Sequence, residues 1–404
     1  TVAYDGSLTY IRGRGNSTFW YEKQPYQIKL EHAASLAGMR RDRTWVLLAN
    51  FLDRSEIRNT MILDMARYCG VWQFVPECQS VDVYLNHDYK GTYLLCEKVE
   101  VDEDRLDIRN LEKATEAANP GLDFAALSPL GEAKYQLNAR KYYDIPVDPE
   151  DVTGGYLVRM EVEKRYAEEA GAFVTPRGAT FVFQSPKYPS KAQMSYLASL
   201  FQDIESGLFS KNGISKISGK HFSELIDLKT MAYRYVLAEV ADDFDGQRSN
   251  YYKDADSTDP LLYVGPVWDQ DNTWGLVYPY NNPLLIHMNQ SGDIAYFWLR
   301  QALFHKDFVK MMREAYQTKF RRALAVFLGE NKDPTGVLRS IDEYAAEVRR
   351  SGQCDAVRWP YSMTWAISRR VDKSMGNSFD KQIKYLREYI RQRRPVLNKY
   401  FRAQ

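Results

Sequence analysis

The residues best suited to chemistry lie between Asp242 and Gly275. Asp245 and Asn250 are five positions apart, and an apolar run from Leu261 to Val267 leads into Trp268-Asp269-Gln270-Asp271. Phosphoryl transfer uses such a set. One carboxylate accepts the proton of an attacking hydroxyl, an Asn five residues on holds a metal ion, and a later Asp after a strand holds metal against the phosphates. Read this way, Asp245 is the base, Asn250 and Asp269 hold the metal, and Asp271 competes with Asp269 for that role. Acidic loops with Gly and Asn are also ordinary turns, so on this segment alone a turn remains the competing reading.

Two earlier stretches could serve the same chemistry. Arg12-Gly-Arg-Gly-Asn-Ser-Thr18 follows Leu8-Thr-Tyr-Ile11. Its glycines allow a tight turn whose backbone N–H groups point at phosphate oxygens, and its arginines add charged donors. A plain hairpin turn has the same composition. In Pro25-Tyr-Gln-Ile-Lys-Leu30 the alternation of Tyr26, Ile28 and Leu30 with Gln27 and Lys29 is that of a half-buried strand. Lys29 is a candidate partner for phosphates, or a solvated strand lysine. Asp53, Glu56 and Asp64 are its candidate acidic partners.

The elements that must position these residues follow from the pattern of the chain. Trp45 to Asn50 is a short apolar run, and Asp53-Arg-Ser-Glu56 opens a helix to about Tyr68, with Ser55 or Asp53 as the cap. Ser80 to Leu85 and Thr92 to Glu97 read as a hairpin around a loop carrying Asn, Asp and Gly, with His87 exposed in it. From about residue 101 to 153 the apolar pattern weakens, predicting a surface insertion with one short helix. Strands return at Gly154 to Val162 and Ala179 to Phe183. Beyond Pro189, apolar residues recur at helical spacing from Lys191 to Phe209, Phe222 to Ala241 and through most of the region after Ala295, with Pro395 as a kink. The fold class is α+β, in parts 1–100, 101–153 and 154–404, with a cleft between a β-rich and a largely helical part.

Composition bounds the function classes. A 404-residue chain with 45% hydrophobic residues can bury a large core. Net charge is +1 with no long block of one sign, which lends no support to a nucleic-acid or membrane-surface partner. No run is long and apolar enough for a transmembrane helix. The four cysteines lack metal spacing and read as buried apolar residues, with a Cys69–Cys78 bridge open in an oxidising compartment. The chain opens on Thr1, which points to a removed leader or a trimmed start and leaves exported, envelope and cytoplasmic locations open.

The sequence resembles the CotH kinases, atypical protein kinases named for a spore coat protein. The resemblance rests on Arg14-Gly-Asn-Ser-Thr18, the segment ending Pro25-Tyr-Gln-Ile-Lys29, Trp45 to Asn50 with Arg58-Asn59, and Tyr84-Leu-Asn86 through Gly91 to Leu95. It continues through Gly154-Gly-Tyr156, Asp245-Gly246, Asn250-Tyr-Tyr252 and Gly265-Pro-Val-Trp-Asp-Gln-Asp271, in consistent order over roughly residues 8 to 400. It implies a divergent protein-kinase-like fold, β-rich before a helical part, that binds ATP with Mg2+ or Mn2+ and phosphorylates Ser or Thr of a protein substrate. Carried over residue by residue, Asp245 is the catalytic aspartate, Asp269 and Asn250 are metal ligands, and Lys29 is the phosphate lysine. Arg14, Gly15, Asn16 and Ser17 form the phosphate loop. Asp242-Asp243-Phe244 makes a more acidic approach to Asp245 than the family usually has. Asp242 and Asp243 therefore serve as control positions, expected to tolerate Asn.

Three functions compete on these residues. The first is an active kinase. The second is a catalytically weak kinase-like scaffold acting as a surface interaction protein, against which the retention of Asp245, Asn250 and Asp269 argues. The third is a metal-dependent hydrolase on the same carboxylates, although the five histidines are scattered.

Overall fold

Strand alternation before residue 100 builds one antiparallel sheet. β1 (Leu8–Gly13), β2 (Tyr26–Ala34), β3 (Asp42–Leu48), β4 (Cys78–Leu85) and β5 (Asp88–Glu97) lie in the order β1-β2-β3-β5-β4. This computed structural model describes residues 2–15, 17–243, 245, 248–277, 281–286, 298–360, 371 and 375–402. On one face of the sheet Leu30, Trp45, Leu47, Tyr93 and Leu95 form a small core. On the other, Val46, Leu94 and Cys96 pack with Trp268, which draws the later acidic segment against the sheet. The hairpin is tighter than its sequence suggests. Asn86 and His87 alone make the turn, both at positive φ (50° and 66°), which matches the twist of the flanking strands and lets β5 begin at Asp88.

α1 (Arg58–Cys69) follows, ending at Gly70 in the left-handed region. Its N-cap position is Ile57, which makes no side-chain cap; Asp53 acts from further back, accepting the Arg58 N–H at 3.1 Å. Cys69, Cys78, Cys96 and Cys354 are all free, so the Cys69–Cys78 bridge is absent.

The expected insertion holds α2 (Leu111–Ala118) together with two short strands, β6 (Leu130–Gly131) and β7 (Arg140–Tyr142). β7 pairs with β9, so this stretch extends a second antiparallel sheet. β8 (Tyr156–Glu161), β9 (Ala172–Val174), β10 (Thr180–Ser185), β11 (Asn250–Lys253) and β12 (Leu262–Val264) complete it in the order β12-β11-β8-β10-β9-β7-β6. Strands therefore also occur after Phe183. A one-turn helix, α3 (Arg165–Glu168), links β8 to β9.

Helices dominate the remainder: α4 (Lys191–Leu208), α5 (Leu228–Ala241), α6 (Trp298–Gln301), α7 (Lys306–Ala315), α8 (Arg321–Phe327), α9 (Ile341–Arg358) and α10 (Phe379–Tyr400). A π-helical stretch, Tyr316–Phe320, joins α7 to α8. Their apolar faces join Phe173, Phe181 and Tyr251 of the second sheet in the main core, with Phe201 and Trp298 at its aromatic centre. The architecture is α+β, with a β-rich N-terminal region and helices later. Among the described residues no helix is long and apolar enough to cross a membrane.

Candidate functional site

α5 sets up one half of the site. Its start is capped by Asp227, whose carboxylate accepts the Thr230 N–H, and it ends where Asp242 takes the left-handed conformation. Beyond it the chain passes through Asp243 and Asp245 before β11 begins at Asn250. Asp243 is 3% exposed. One of its oxygens accepts the Asp245 N–H at 3.1 Å, and the other accepts from Arg234 Nη2 of α5 at 3.1 Å and from Gln270 Nε2 at 3.3 Å. A single buried carboxylate thus ties the Asp245 loop to the loop carrying Asp269 and Asp271. Asp242 is buried too, held by the Tyr389 hydroxyl and by Arg393 at 3.3 Å from α10. Both of the control positions that sequence proximity suggested are therefore buried and bonded into the fold.

The other half leaves β12 and turns at Asp269, a non-glycine residue at φ 63°. Such conformations are sparsely populated and need surrounding support. Support comes from the start of α1. Asn59 Oδ1 accepts the Gln270 N–H at 3.0 Å while its amide donates to Asn50 Oδ1 at 3.0 Å, and Arg58 Nε donates to the Thr273 carbonyl at 3.1 Å. Arg58 is itself fully buried against Asp53. Asn50, Asp53, Arg58 and Asn59 therefore hold the acidic loop; the sequence singled out Asn50 and Arg58-Asn59 through the family resemblance and Asp53 as a helix cap or a partner of Lys29, but gave none of them this role.

Between these halves and the first sheet lies a cavity of about 730 Å³. Its lining brings together five of the candidate residues: Arg14, Gly15, Asp245, Asp269 and Asp271. Arg14 lies over the Trp268 ring at 5.4 Å, joining the Arg12–Thr18 segment to the acidic loop. Gly15 is at φ 97°, a conformation that only glycine adopts without strain. Asn16 lies outside the described residues, and Ser17 begins a 3-10 turn ending at Trp20. Lys29 does not line the cavity. It is half-buried on β2 opposite Tyr10 and Thr44, and none of its three expected partners reaches it. Glu56 instead faces Lys23, Asp53 faces Arg58, and Asp64 binds Arg67 and Tyr344. Asn250 is buried in β11. Its amide donates to the Pro266 carbonyl at 2.9 Å and accepts from Gln184 at 3.3 Å, so it borders a side recess while bonded to the fold.

Sequence reading missed the basic half of the lining: Arg159 on β8, Lys164, Arg165, Arg234 and Arg248. Arg248 pairs with Asp245 at 2.6 Å, and Arg159 lies 3.0 Å from Glu161 and 3.7 Å from Asp269. These residues come from a strand, two helices and two loops, and no spacing in the sequence links them.

Electrostatics separate the carboxylates. Burial raises the pKa of Asp245 to about 6; Arg248 opposes the rise, and Asp243 and Asp269 add to it. Asp271 is pushed well above the ordinary carboxyl range, first by burial and then by Asp269, Asp245 and Asp53. Asp243 is raised by burial and drawn back by Arg234. Among the described residues no three His, Cys, Asp or Glu side chains converge as a ready-made metal cage. The available donors are nonetheless all oxygens. Gln270 Nε2 faces three acceptors, which fixes its amide orientation, and the opposite atom, Oε1, is buried with no partner among the described residues. Carboxylates crowded beside an unsatisfied carbonyl oxygen suit a hard divalent cation.

A family model described as CotH kinase protein matches residues 11–397. No curated protein matches the chain.

Proposed function

The chain belongs to the CotH kinase protein family, and from that premise we propose that it transfers the terminal phosphoryl group of ATP to a Ser or Thr hydroxyl of a protein. The observation that carries this reading is the shared cavity, in which the Arg14-Gly15 segment faces Asp245, Asp269 and Asp271. Asp245 is the base. Its pKa near 6 leaves it mostly ionised at neutral pH yet basic enough to take a proton in the transition state. The acceptor oxygen forms its bond to phosphorus as the bond to the bridging oxygen of the diphosphate breaks. The hydroxyl proton passes to Asp245, and ADP leaves.

Arg14 and the backbone N–H groups around Gly15 orient the phosphates from the side of the first sheet. Asp269 and Asp271 would hold Mg2+ or Mn2+, with Gln270 Oε1 as a further oxygen, while Asn250 supports the strand behind them. Bound there, the cation neutralises charge on the phosphate oxygens. Trp20, 83% exposed at the mouth, offers a flat apolar surface for a purine.

Incubation with terminally labelled ATP and a generic acceptor protein tests the reading, with protein-bound label and free phosphate measured separately. Label should appear on protein and require Mg2+ or Mn2+. Release of free phosphate alone would favour a hydrolase, and no turnover would favour a scaffold.

A further inference from the structure

A recess of about 10 Å³ is bordered by three arginines, Arg159, Arg234 and Arg248, beside Asn250 and Asp269, and shares these arginines and Asp269 with the lining of the cavity. That volume admits one oxygen atom. Arg159 and Arg248 are partly accessible, with side chains 26% and 33% exposed. Arg234 is 3% exposed; its Nη2 is spent on Asp243, and its Nη1 has no hydrogen-bond partner among the described residues. A buried charged donor left unpaired is destabilising. Nothing in the fold requires that cost, because Asp243 is already satisfied by the other nitrogen of Arg234.

We propose that Arg159, Arg234 and Arg248 form an oxyanion subsite for a tetrahedral phosphoryl group, with one oxygen seated in the recess against Arg234 Nη1 and the others facing Arg159 and Arg248. Three arginines bordering one recess match three oxygens of a phosphate, whereas a carboxylate offers two. The position also fits. Arg248 is bonded to Asp245, so a phosphoryl group held there lies next to the carboxylate assigned as base. The physiological ligand, though not the subsite, rests on the phosphotransfer reading: it is the terminal phosphate of the nucleotide before transfer or the phosphoester after it. The simplest competing occupant is a water joining Arg234 Nη1 to Gln270 Oε1, since both side chains bond the same oxygen of Asp243.

Calorimetry with inorganic phosphate alone, and then with ADP and ATP in magnesium, separates these cases. The full chain is compared with Arg234→Lys, Arg159→Gln and Arg248→Gln; the latter two alter partly exposed side chains and so preserve the fold if Arg234→Lys does not. Phosphate binding should weaken about tenfold or more in each folded variant, the loss expected for a hydrogen bond to a charged group. The preference of the parent for ATP over ADP should shrink while ADP affinity holds. Arg-dependent phosphate binding with an unchanged ATP preference keeps the subsite and assigns it to the phosphoester. Phosphate affinity that is absent in the parent, or equal in parent and variants, overturns the proposal and leaves the recess to water. If the parent transfers no label yet binds phosphate through these arginines, the kinase reading falls and the subsite stands.

Discussion

Two clusters of charged residues border the first sheet, and they use the same residue types to opposite ends. At the seam between that sheet and α9, Asp355 collects Lys23 at 2.6 Å, Arg54 at 3.0 Å and the Thr92 N–H at 2.9 Å, with side-chain exposures of 0 to 2%. Each cation there meets a carboxylate and water is shut out. Around the cavity, Asp245 is 26% exposed and Asp269 58%, and each carboxylate has at least one other carboxylate as a near neighbour. The seam spends charge on holding elements together, whereas the cavity keeps unsatisfied charge in reach of a ligand. Raised carboxyl pKa values beside a cavity make the second pattern the candidate site for chemistry. Glu56 tempers the contrast: buried in the seam 3.7 Å from Lys23 and with neither oxygen hydrogen-bonded, it too is pushed well above the usual range. A perturbed pKa without a cavity therefore does not make a site.

Substituting one aspartate in each cluster is the strongest way to break the comparison. Asp245→Asn keeps size and most hydrogen bonding, and should lower label transfer by about 10²- to 10⁴-fold, the usual contribution of a positioned base. Its melting temperature at neutral pH should not fall. Asp355→Ala leaves Lys23 and Arg54 buried without their shared partner and should cost about 3–5 kcal/mol in urea unfolding, as expected when one member of a buried ion pair is removed. Its transfer rate per folded molecule should stay near that of the parent. If Asp355→Ala abolished transfer while stability held, the seam would belong to the catalytic machinery and the contrast would fail.

The sequence made one side of this comparison far more legible than the other. Asp245, Asp269 and Asp271 were readable because residue type and order along one segment carry them, and the helices beyond Pro189 were readable because apolar periodicity reports burial. Arg159, Arg234 and Arg248 were not, because each is an ordinary arginine until β8, α5 and the loop after Asp245 converge. The seam was hidden for the same reason: Lys23 and Asp355 are far apart in the chain. Lys29 was the more visible lysine since it stands on an alternating strand, yet alternation reports which face a residue shares and not how far along the strand the cavity extends. The strands of the 101–153 stretch escaped because β6 and β7 are too short to show a period.

A subtler test uses pH. The transferring form of Asp245 is the carboxylate, so kcat/KM should rise through about pH 6 and level off above it. Arg248 lowers that pKa, so Arg248→Gln should move the midpoint upward, on top of a pH-independent loss from weaker phosphate binding. The same titration affects stability with a defined sign. The folded protein holds the Asp245 proton to about pH 6, above the ordinary aspartate value, so folding stability falls as pH rises from about 4 to about 6. Asp245→Asn should therefore melt higher than the parent at pH 7.5 and equally at pH 4. A midpoint unmoved by Arg248→Gln would remove that pair from the site.

The smallest expected effect tests whether the first sheet belongs to the site at all. Gly15 stands at φ 97°, and a Cβ there would collide with Thr18 Oγ1 and approach Pro25 Cγ at 3.4 Å. Valine adds branching in a backbone region that costs about 1–3 kcal/mol for a side chain, so this turn must open or shift. Among the described residues the neighbouring Arg14 is held by its ring contact with Trp268, by the Arg14 N–H to Pro25 carbonyl bond of 3.0 Å and by attraction to Asp269. A shift of the turn therefore moves the guanidinium relative to Asp269 while the five strands behind it keep their pairing. Gly15→Val should weaken magnesium-ATP binding by about tenfold, equivalent to roughly 1.4 kcal/mol, and lower the melting temperature much less than Asp355→Ala does. Loss of stability without loss of affinity would make the turn a structural one, and the phosphate contacts would then come from the arginines of the second sheet and α5.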